Sequence, residues 1–329
     1  MKHTRLGRTG LQVSRLCLGT MTFGNQCNEE LSHAILDHSL ELGISFIDTA
    51  DVYPASGPAA VGETERIIGR WMAGRRDEVV LATKFWGPMG SHPWQRGGSR
   101  RHILAAAEAS LRRLGTDSID LYQIHFPDFA TPTDETLTAL DDLVRQGKVH
   151  YIGCSNYPAW LLARSLGRSE VLGTARFDAV QPRYNLLFRQ FERDLFALCA
   201  YDDIAIIPYN PLAGGLLTGK HGRAAPESGS RFTIAGGQGD RYLERYWHDR
   251  LHDAVDAIRP LAAAAGMTMA QLAIAWVLAN PEVTAPIVGA TRPEQLDDAA
   301  AAVDSGIETD LKEQLDTLTD EFRIGADDR

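Results

Sequence analysis

The chain is predicted to fold as an α/β protein, a (β/α)8 or TIM barrel with an N-terminal β-hairpin and a long lid loop after strand seven. Three observations carry that expectation. Short apolar runs of strand type alternate eight times with amphipathic stretches of helical period, the pattern of a parallel sheet built from βα units. Several amphipathic stretches stop at a glycine, namely Gly43, Gly74, Gly115 and Gly147, the residue that ends a helix most easily in the left-handed conformation. Polar residues close the apolar runs at Asp48, Lys84 and His125, where a barrel presents its functional side chains. Right-handed crossovers, short strands and an uninterrupted chain favour closure over an open doubly wound sheet, the alternative architecture.

In chain order, roughly the first 16 residues, with the turn-rich Gly7-Arg8-Thr9-Gly10, read as a β-hairpin. The eight strands are expected at Leu16 to Gly19, Ile44 to Thr49, Val79 to Lys84, Ile119 to His125, Tyr151 to Ser155, Phe177 to Gln181, Ile204 to Tyr209 and Ala285 to Gly289. Between them, LSHAILDHSLELG, TERIIGRWMAG, RRHILAAAEASLRRLG, DETLTALDDLVRQG and MTMAQLAIAWVLAN place apolar residues at helical spacing. From Pro211 to about Trp247 no period is evident and Gly is abundant; a structureless stretch of that length after strand seven reads as a lid. PASGPAAVG, after strand two, is a shorter loop of the same kind at the pocket mouth.

With 329 residues and 44% apolar content the chain can build a sizeable core, and residues 1–329 are read as one barrel domain. A formal charge of −10, with no basic run of five or more, argues against general affinity for nucleic acid or anionic membrane. The first 30 residues lack the long uncharged core of a signal peptide. The four cysteines, Cys17, Cys27, Cys154 and Cys199, form no C-x-x-C pair, which fits a reducing compartment. The expectation is a soluble, cytoplasmic protein, and no oligomeric state is assigned. No metal site is expected: His248 and His252 stand four apart, but HDRLHD reads as a solvated face.

Asp48 and Tyr53 in FIDTADVY, Lys84 in LATKF and His125 in LYQIHF fall where separate strands would hand side chains to one pocket. Singly, an Asp or His after a strand is commonly a turn former or cap, and a Lys is commonly solvated. The set is what points to a site. Trp86, two residues beyond Lys84, is placed to line the pocket, whereas Trp94, Tyr122 and Cys154 read as packing residues.

Together DTADVY, GETERIIGRW, ATKF, DSIDLYQIHFPD, GCSNY, VQPRYNLL, PYNPLAGGLLTGK and PIVGATRPEQL, in that order, resemble the aldo-keto reductase superfamily from the hairpin to about Asp304. The loop after Tyr53 and PLAGGLLTGK look more like the bacterial and potassium-channel β-subunit branches than the steroid and aldose reductase branch. The resemblance implies reduction of a carbonyl by hydride transfer. That chemistry builds negative charge on oxygen, so a donor must stabilise the charge and deliver a proton. Tyr53 is the candidate acid. Its free pKa of ~10 is expected to fall beside the Lys84 ammonium, itself held by Asp48. A neutral His125 can donate to the same oxygen.

No G-x-G-x-x-G follows a strand and opens a helix; the glycines of Ala235 to Asp240 are a poor match. A dinucleotide would therefore lie extended over the barrel rim. The resemblance implies that Ser155, Asn156 and Gln181 meet the nicotinamide amide and that Tyr209 stacks on its ring. Leu212, Gly214 and Leu216 would follow the pyrophosphate, and Asn210 is a further cofactor contact. In the last unit, Gly289, Thr291, Arg292, Gln295 and Asp298 would hold the adenosine end. Ordinary turn chemistry is the plain alternative for Ser155, Asn156 and Asn210. Arg292, before Pro293 as a first helical residue, and Lys220 in the lid favour NADPH over NADH, because a 2′-phosphate is best met by such cations. A Lys aligned at Gly289 and an Asn aligned at Ala299 in the steroid and aldose branch are missing here.

The expected activity is NADPH-dependent reduction of a small-molecule aldehyde or ketone. Two other readings stand beside it. One is a nucleotide-bound, redox-sensing regulatory subunit with incidental turnover. The other is an isomerase using Lys84 as a Schiff-base amine.

Overall fold

The computed structural model describes residues 1–55, 60–234 and 237–324. Its strands are β1 (His3–Arg5), β2 (Gln12–Ser14), β3 (Cys17–Gly19), β4 (Phe46–Asp48), β5 (Val80–Phe85), β6 (Ile119–Ile124), β7 (Val149–Ser155), β8 (Phe177–Gln181), β9 (Ala205–Ile206) and β10 (Ile287–Gly289). The helices are α1 (Glu29–Glu41), α2 (Glu63–Met72), α3 (Arg100–Leu114), α4 (Thr133–Arg145), α5 (Ala159–Leu172), α6 (Leu195–Asp202), α7 (Gln238–Tyr246), α8 (Asp249–Ala264), α9 (Met269–Leu278), α10 (Gln295–Ser305), α11 (Thr309–Leu318) and α12 (Glu321–Ile324). No single helix among the described residues is long and apolar enough to cross a membrane.

Strands β3 to β10 form one parallel sheet in the order β10-β3-β4-β5-β6-β7-β8-β9. Its ends meet. Ile206 bridges Val283, the N–H of Thr284 donates to the Ile206 carbonyl at 2.8 Å, and that of Ile287 donates to the Pro208 carbonyl at 2.8 Å. The sheet is therefore a closed barrel, and the open alternative is set aside. Most strands are somewhat shorter than their apolar runs, since the run includes residues that enter and leave the ladder, whereas β7 starts two residues earlier than expected, at Val149.

The barrel interior is filled by the small and medium side chains that alternate inward. Cys17, Phe46, Ala82, Leu121, Ala179, Ala205 and Ile287 pack together, and Leu6 and Val13 of the antiparallel hairpin β1–β2 plug the N-terminal end. Gly7, at φ 54°, has to be glycine: a Cβ would stand 2.5 Å from the Asp203 carbonyl. The outward set, such as Leu16, Leu18, Ile47 and Leu81, packs instead against helices through Ile35, Ile67 and Ile68. The capping glycines Gly43, Gly74, Gly115 and Gly147 all adopt positive φ, as expected.

Helices α2 and α3 cross closely because Gly69 has no side chain; a Cβ there would meet the Arg113 carbonyl at 2.5 Å and Leu114 backbone atoms at 2.8 Å. The contact is reinforced by fully buried Glu65, which accepts from Arg113 Nε at 2.6 Å and from Thr83 Oγ1 at 2.7 Å. Gly69→Ala, which gains helix propensity, is nonetheless expected to lower unfolding free energy by about 1–3 kcal/mol through overpacking. Urea denaturation with an unchanged m-value is the measurement, and a stabilised variant would refute the contact.

Candidate active site

Side chains along a strand alternate between interior and helix layer, so the last inward position of each strand forms one ring at the C-terminal mouth. Two residues above Phe46 comes Asp48; above Ala82, Lys84; above Leu121, Gln123; above Ala179, Gln181. The ring is polar where the layer below it is apolar. Lys84 Nζ donates to Asp48 Oδ1 at 2.5 Å and to the Thr49 carbonyl at 2.8 Å. The other carboxylate oxygen, Asp48 Oδ2, accepts from Gln123 Nε2 and Gln181 Nε2, each at 3.0 Å. Gln181 Nε2 also lies 3.2 Å from Gln123 Oε1. All four side chains are buried. Gln123 was not among the expected site residues. The signal that could have found it is a lone amide in the apolar run of β6, sharing the face of Leu121.

Tyr53 and His125 stand above this ring, on loops after β4 and β6. Their rings meet edge to face at 5.8 Å, and the Lys84 ammonium lies 5.4 Å from the Tyr53 ring centre. Asp48, Tyr53 and His125 line the cavity, with Lys84 enclosed beneath its floor. Burial disfavours the Lys84 ammonium, but Asp48 and Tyr53 outweigh it and hold the amine protonated above its ordinary value. Burial, followed by the Lys84 charge, pushes His125 well below the usual imidazole range, so it is neutral at neutral pH.

Tyr53 departs from expectation. Burial raises its pKa, and the opposing pull of Lys84 does not overcome that rise. The phenol remains an acid that keeps its proton, with Lys84 limiting how far the pKa climbs. A Schiff-base role for Lys84 does not fit either, because the amine is protonated, ion-paired and closed off from the cavity.

The cavity, of about 750 Å³, runs from this ring to the N-terminal side of α10. Among the residues singled out from sequence, Ser155, Asn156, Gln181, Tyr209, Asn210, Leu212, Gly214, Lys220, Gly289, Thr291, Arg292, Gln295, Asp298 and Trp86 all line it. Leu216 does not: it is fully buried, in the hydrophobic core that also takes in Trp276. The helix after Arg292 begins at Gln295 rather than Pro293, preceded by a turn in which the Gln295 N–H donates to the Arg292 carbonyl. Gln295 Oε1 accepts from the Thr291 N–H at 2.7 Å, which holds that turn.

The lid is more ordered than its composition suggests. It contains 3-10 turns at Ala213–Thr218 and Arg231–Thr233, and helix α7. The helix was missed because its amphipathic face, Gln238, Tyr242 and Tyr246, buries polar-tipped residues that resemble no apolar stripe. Phe232 anchors the lid against His221, Trp247 and Tyr242. His252 is buried against Trp247 at 5.0 Å, so HDRLHD is not a wholly solvated face. Trp94 is 45% exposed and stacks on His92, not on the barrel, whereas Tyr122 and Cys154 are core residues. Residues 56–59 of the loop after β4, and residues 235 and 236 of the lid, lie outside the described residues.

Trp86 and Asn156, just beyond β5 and β7, and Asn210, four residues beyond β9, adopt φ of 127°, 61° and 59° and all line the cavity. Asn tolerates that region; Trp does not, and strain held at a cavity wall is a mark of function. Asn156 is fixed from both ends, its Nδ2 donating to the His125 carbonyl at 2.9 Å and its Oδ1 accepting from the Tyr209 hydroxyl at 2.8 Å.

A nicotinamide dinucleotide fits this donor set. Gln181 lines the cavity with its amide nitrogen already engaged by Asp48 and Gln123, which leaves its Oε1 as the acceptor for a carboxamide. Lys220, Arg231, Arg241, Arg245 and Arg292 line the same cleft, and phosphates need such cations. Arg231, Arg241 and Arg245 were not foreseen, because a charged residue in an aperiodic loop carries no direction.

Barrel, polar ring and cation-lined cleft together are compatible with an oxidoreductase, the class the family match shows. The chain belongs to the Aldo/keto reductase family, whose profile it matches over residues 15–320. It is 40% identical to "Uncharacterized oxidoreductase YrpG" of Bacillus subtilis (strain 168), over 97% of this chain and 96% of that protein. It is 36% identical to "Probable voltage-gated potassium channel subunit beta" of Arabidopsis thaliana, over 92% of each. It is also 36% identical to "Protein tas" of Escherichia coli (strain K12), over 90% of this chain and 91% of that one.

Asp48→Ala leaves the Lys84 ammonium buried without its carboxylate and is expected to cost about 3–5 kcal/mol of unfolding free energy. Adding Lys84→Met should recover part of that loss. Chemical denaturation of the single and double variants measures it; a single-variant cost below about 1 kcal/mol, the range of a surface pair, contradicts a buried anchor.

Proposed function

We propose that the protein reduces aldehydes or ketones to alcohols with NADPH, Tyr53 acting as general acid. The observation that carries this reading is the stack of Asp48, Lys84 and Tyr53 with a neutral His125 beside the phenol. The nucleotide, held by the cleft from Gln181 to Arg292, would supply hydride to the carbonyl carbon. His125, as a neutral imidazole, donates an N–H to the carbonyl oxygen and orients it. The Tyr53 hydroxyl releases its proton to that oxygen as charge develops there. Lys84 never meets the substrate. Its ammonium favours the phenolate that proton transfer leaves behind, and Asp48 keeps that ammonium in place. The preference for NADPH over NADH is supported by Arg292 and Lys220, at the adenosine end of the cleft.

Tyr53→Phe is expected to lower kcat by about 10²–10⁴-fold while NADPH still quenches protein fluorescence. A nucleotide-bound regulatory subunit would keep the binding and lack turnover of a probe such as 4-nitrobenzaldehyde in the unmodified protein. The pH profile has a definite sign. An acid must be protonated to act, and the Tyr53 phenol sits above the ordinary ~10 of a free tyrosine, so kcat for reduction should show no alkaline fall below pH ~10. A break near neutrality that disappears in Tyr53→Phe would contradict the assignment.

Arg292→Ala should weaken NADPH by about tenfold, as for loss of one charge-assisted contact, and NADH hardly at all. Equal losses for the two nucleotides would remove Arg292 from the 2′-phosphate.

A further inference from the structure

The cleft is rich in cations. Five line it, against two carboxylates, of which Asp48 is already paired with Lys84 and the other is Asp298. Their positions divide into two groups. Arg292 and Lys220 lie toward the adenosine end, and Arg231 lies beside β10, its Nη2 3.8 Å from where a Gly289 Cβ would stand and its Nη1 3.8 Å from Met21 Sδ. On the proposed reading these three meet the pyrophosphate and the 2′-phosphate, Arg231 also reaching over the Tyr242 ring at 5.5 Å. Arg241 and Arg245 are left, one turn apart on α7, on the face that also carries Tyr242 into the cavity.

That face packs on the cavity wall: the Tyr242 hydroxyl donates to Asn210 Oδ1 at 3.2 Å, which ties the helix to the segment that carries Tyr209. Arg245 lies beside Tyr209: burial raises that phenol to about 12, and Arg245 is the foremost charge opposing the rise. Tyr209 in turn donates to Asn156, which holds the His125 backbone. Among the described residues neither Arg241 nor Arg245 has a carboxylate within ion-pair distance, although elsewhere on this surface arginines such as Arg70, Arg168 and Arg223 are paired. The opposite wall is aromatic, with Trp86 packed on Phe126 at 5.2 Å and Phe126 stacked on His125 at 5.0 Å.

We propose that Arg245, assisted by Arg241, recognises a carboxylate on the substrate, so that the protein selects carbonyl compounds whose aromatic or other planar body carries an acid group remote from the reacting carbon. A planar guanidinium matches a carboxylate through two parallel N–H donors, and a half-buried one gains more from that pairing than an exposed one. The proposal rests on the carbonyl-reductase reading of the site.

The test uses pairs of probes that differ in charge and by one methyl group. 4-Carboxybenzaldehyde and methyl 4-formylbenzoate are compared by kcat/KM with NADPH. The corresponding alcohols, 4-(hydroxymethyl)benzoate and its methyl ester, are compared by calorimetry on the protein saturated with NADP⁺, a readout independent of turnover. The acid is expected to be preferred by at least about tenfold in both, expressed in KM, and Arg245→Gln should abolish the preference while Arg245→Lys keeps part of it. Equal binding of acid and ester by the unmodified protein overturns the proposal, as does a preference that survives Arg245→Gln. So does a tenfold loss of NADP⁺ affinity in that variant, which would assign the guanidinium to the nucleotide. Tighter binding of 4-(hydroxymethyl)phenyl phosphate than of the benzoate would replace the carboxylate by a phosphate and overturn the assignment. Failure of both aldehydes to turn over, with the alcohol acid still bound selectively, would sink the reductase reading and leave the anion site standing.

Discussion

A protonated lysine and a carboxylate lie buried at the C-terminal mouth of the barrel, and the arrangement of the site follows from keeping them there. Removing both charges from water costs several kcal/mol each, and their attraction offsets this only where the remaining hydrogen-bonding capacity is met. The surroundings supply that. The Thr49 carbonyl accepts from Lys84, and Gln123 and Gln181 both donate to the second Asp48 oxygen. Strands β4, β5, β6 and β8 are thereby tied together by side chains as well as by their ladders. Such a pair is a poor device for stability, since apolar residues would fill the same space without the desolvation cost. What it provides is a fixed positive charge, insulated from solvent, under Tyr53.

The same charge acts on both groups above it, to different effect. His125 is kept neutral because burial and Lys84 act in the same direction. At Tyr53 they act in opposite directions and burial prevails. The result is a pair of rings that stand edge to face on the cavity wall, a protonated phenol beside a neutral imidazole. Strained or left-handed backbone at Trp86, Asn156 and Asn210 shapes the wall around them, and the lid supplies cations through Arg231, Arg241 and Arg245.

Much of this was legible in the chain. Each strand was expected within a few residues of its position, because a parallel strand buried on both faces is a short apolar run bounded by turn residues. Asp48, Lys84 and His125 were found as polar residues ending such runs, and Tyr53 in the loop that follows the first of them. Gln123 escaped notice for a definable reason: it lies inside its run, one residue short of the end, and only the alternation of β6 reveals that it faces inward. Helix α7 escaped because its buried face is made of Gln and Tyr, which carry no hydrophobic period. Leu216 was misplaced because a Leu in a Gly-rich loop gives no sign of turning into the core.

By itself, then, the sequence determined the barrel, its hairpin plug and the identity of the residues gathered at its mouth, because period, capping glycines and strand ends are local properties of the chain. The tertiary structure alone decided the protonation of Tyr53, the enclosure of Lys84, the network through Gln123 and the distribution of lid arginines along the cleft. Those depend on burial and on distances between residues far apart in the chain. Desolvation and Coulomb energies are set by such distances, and no linear pattern encodes them.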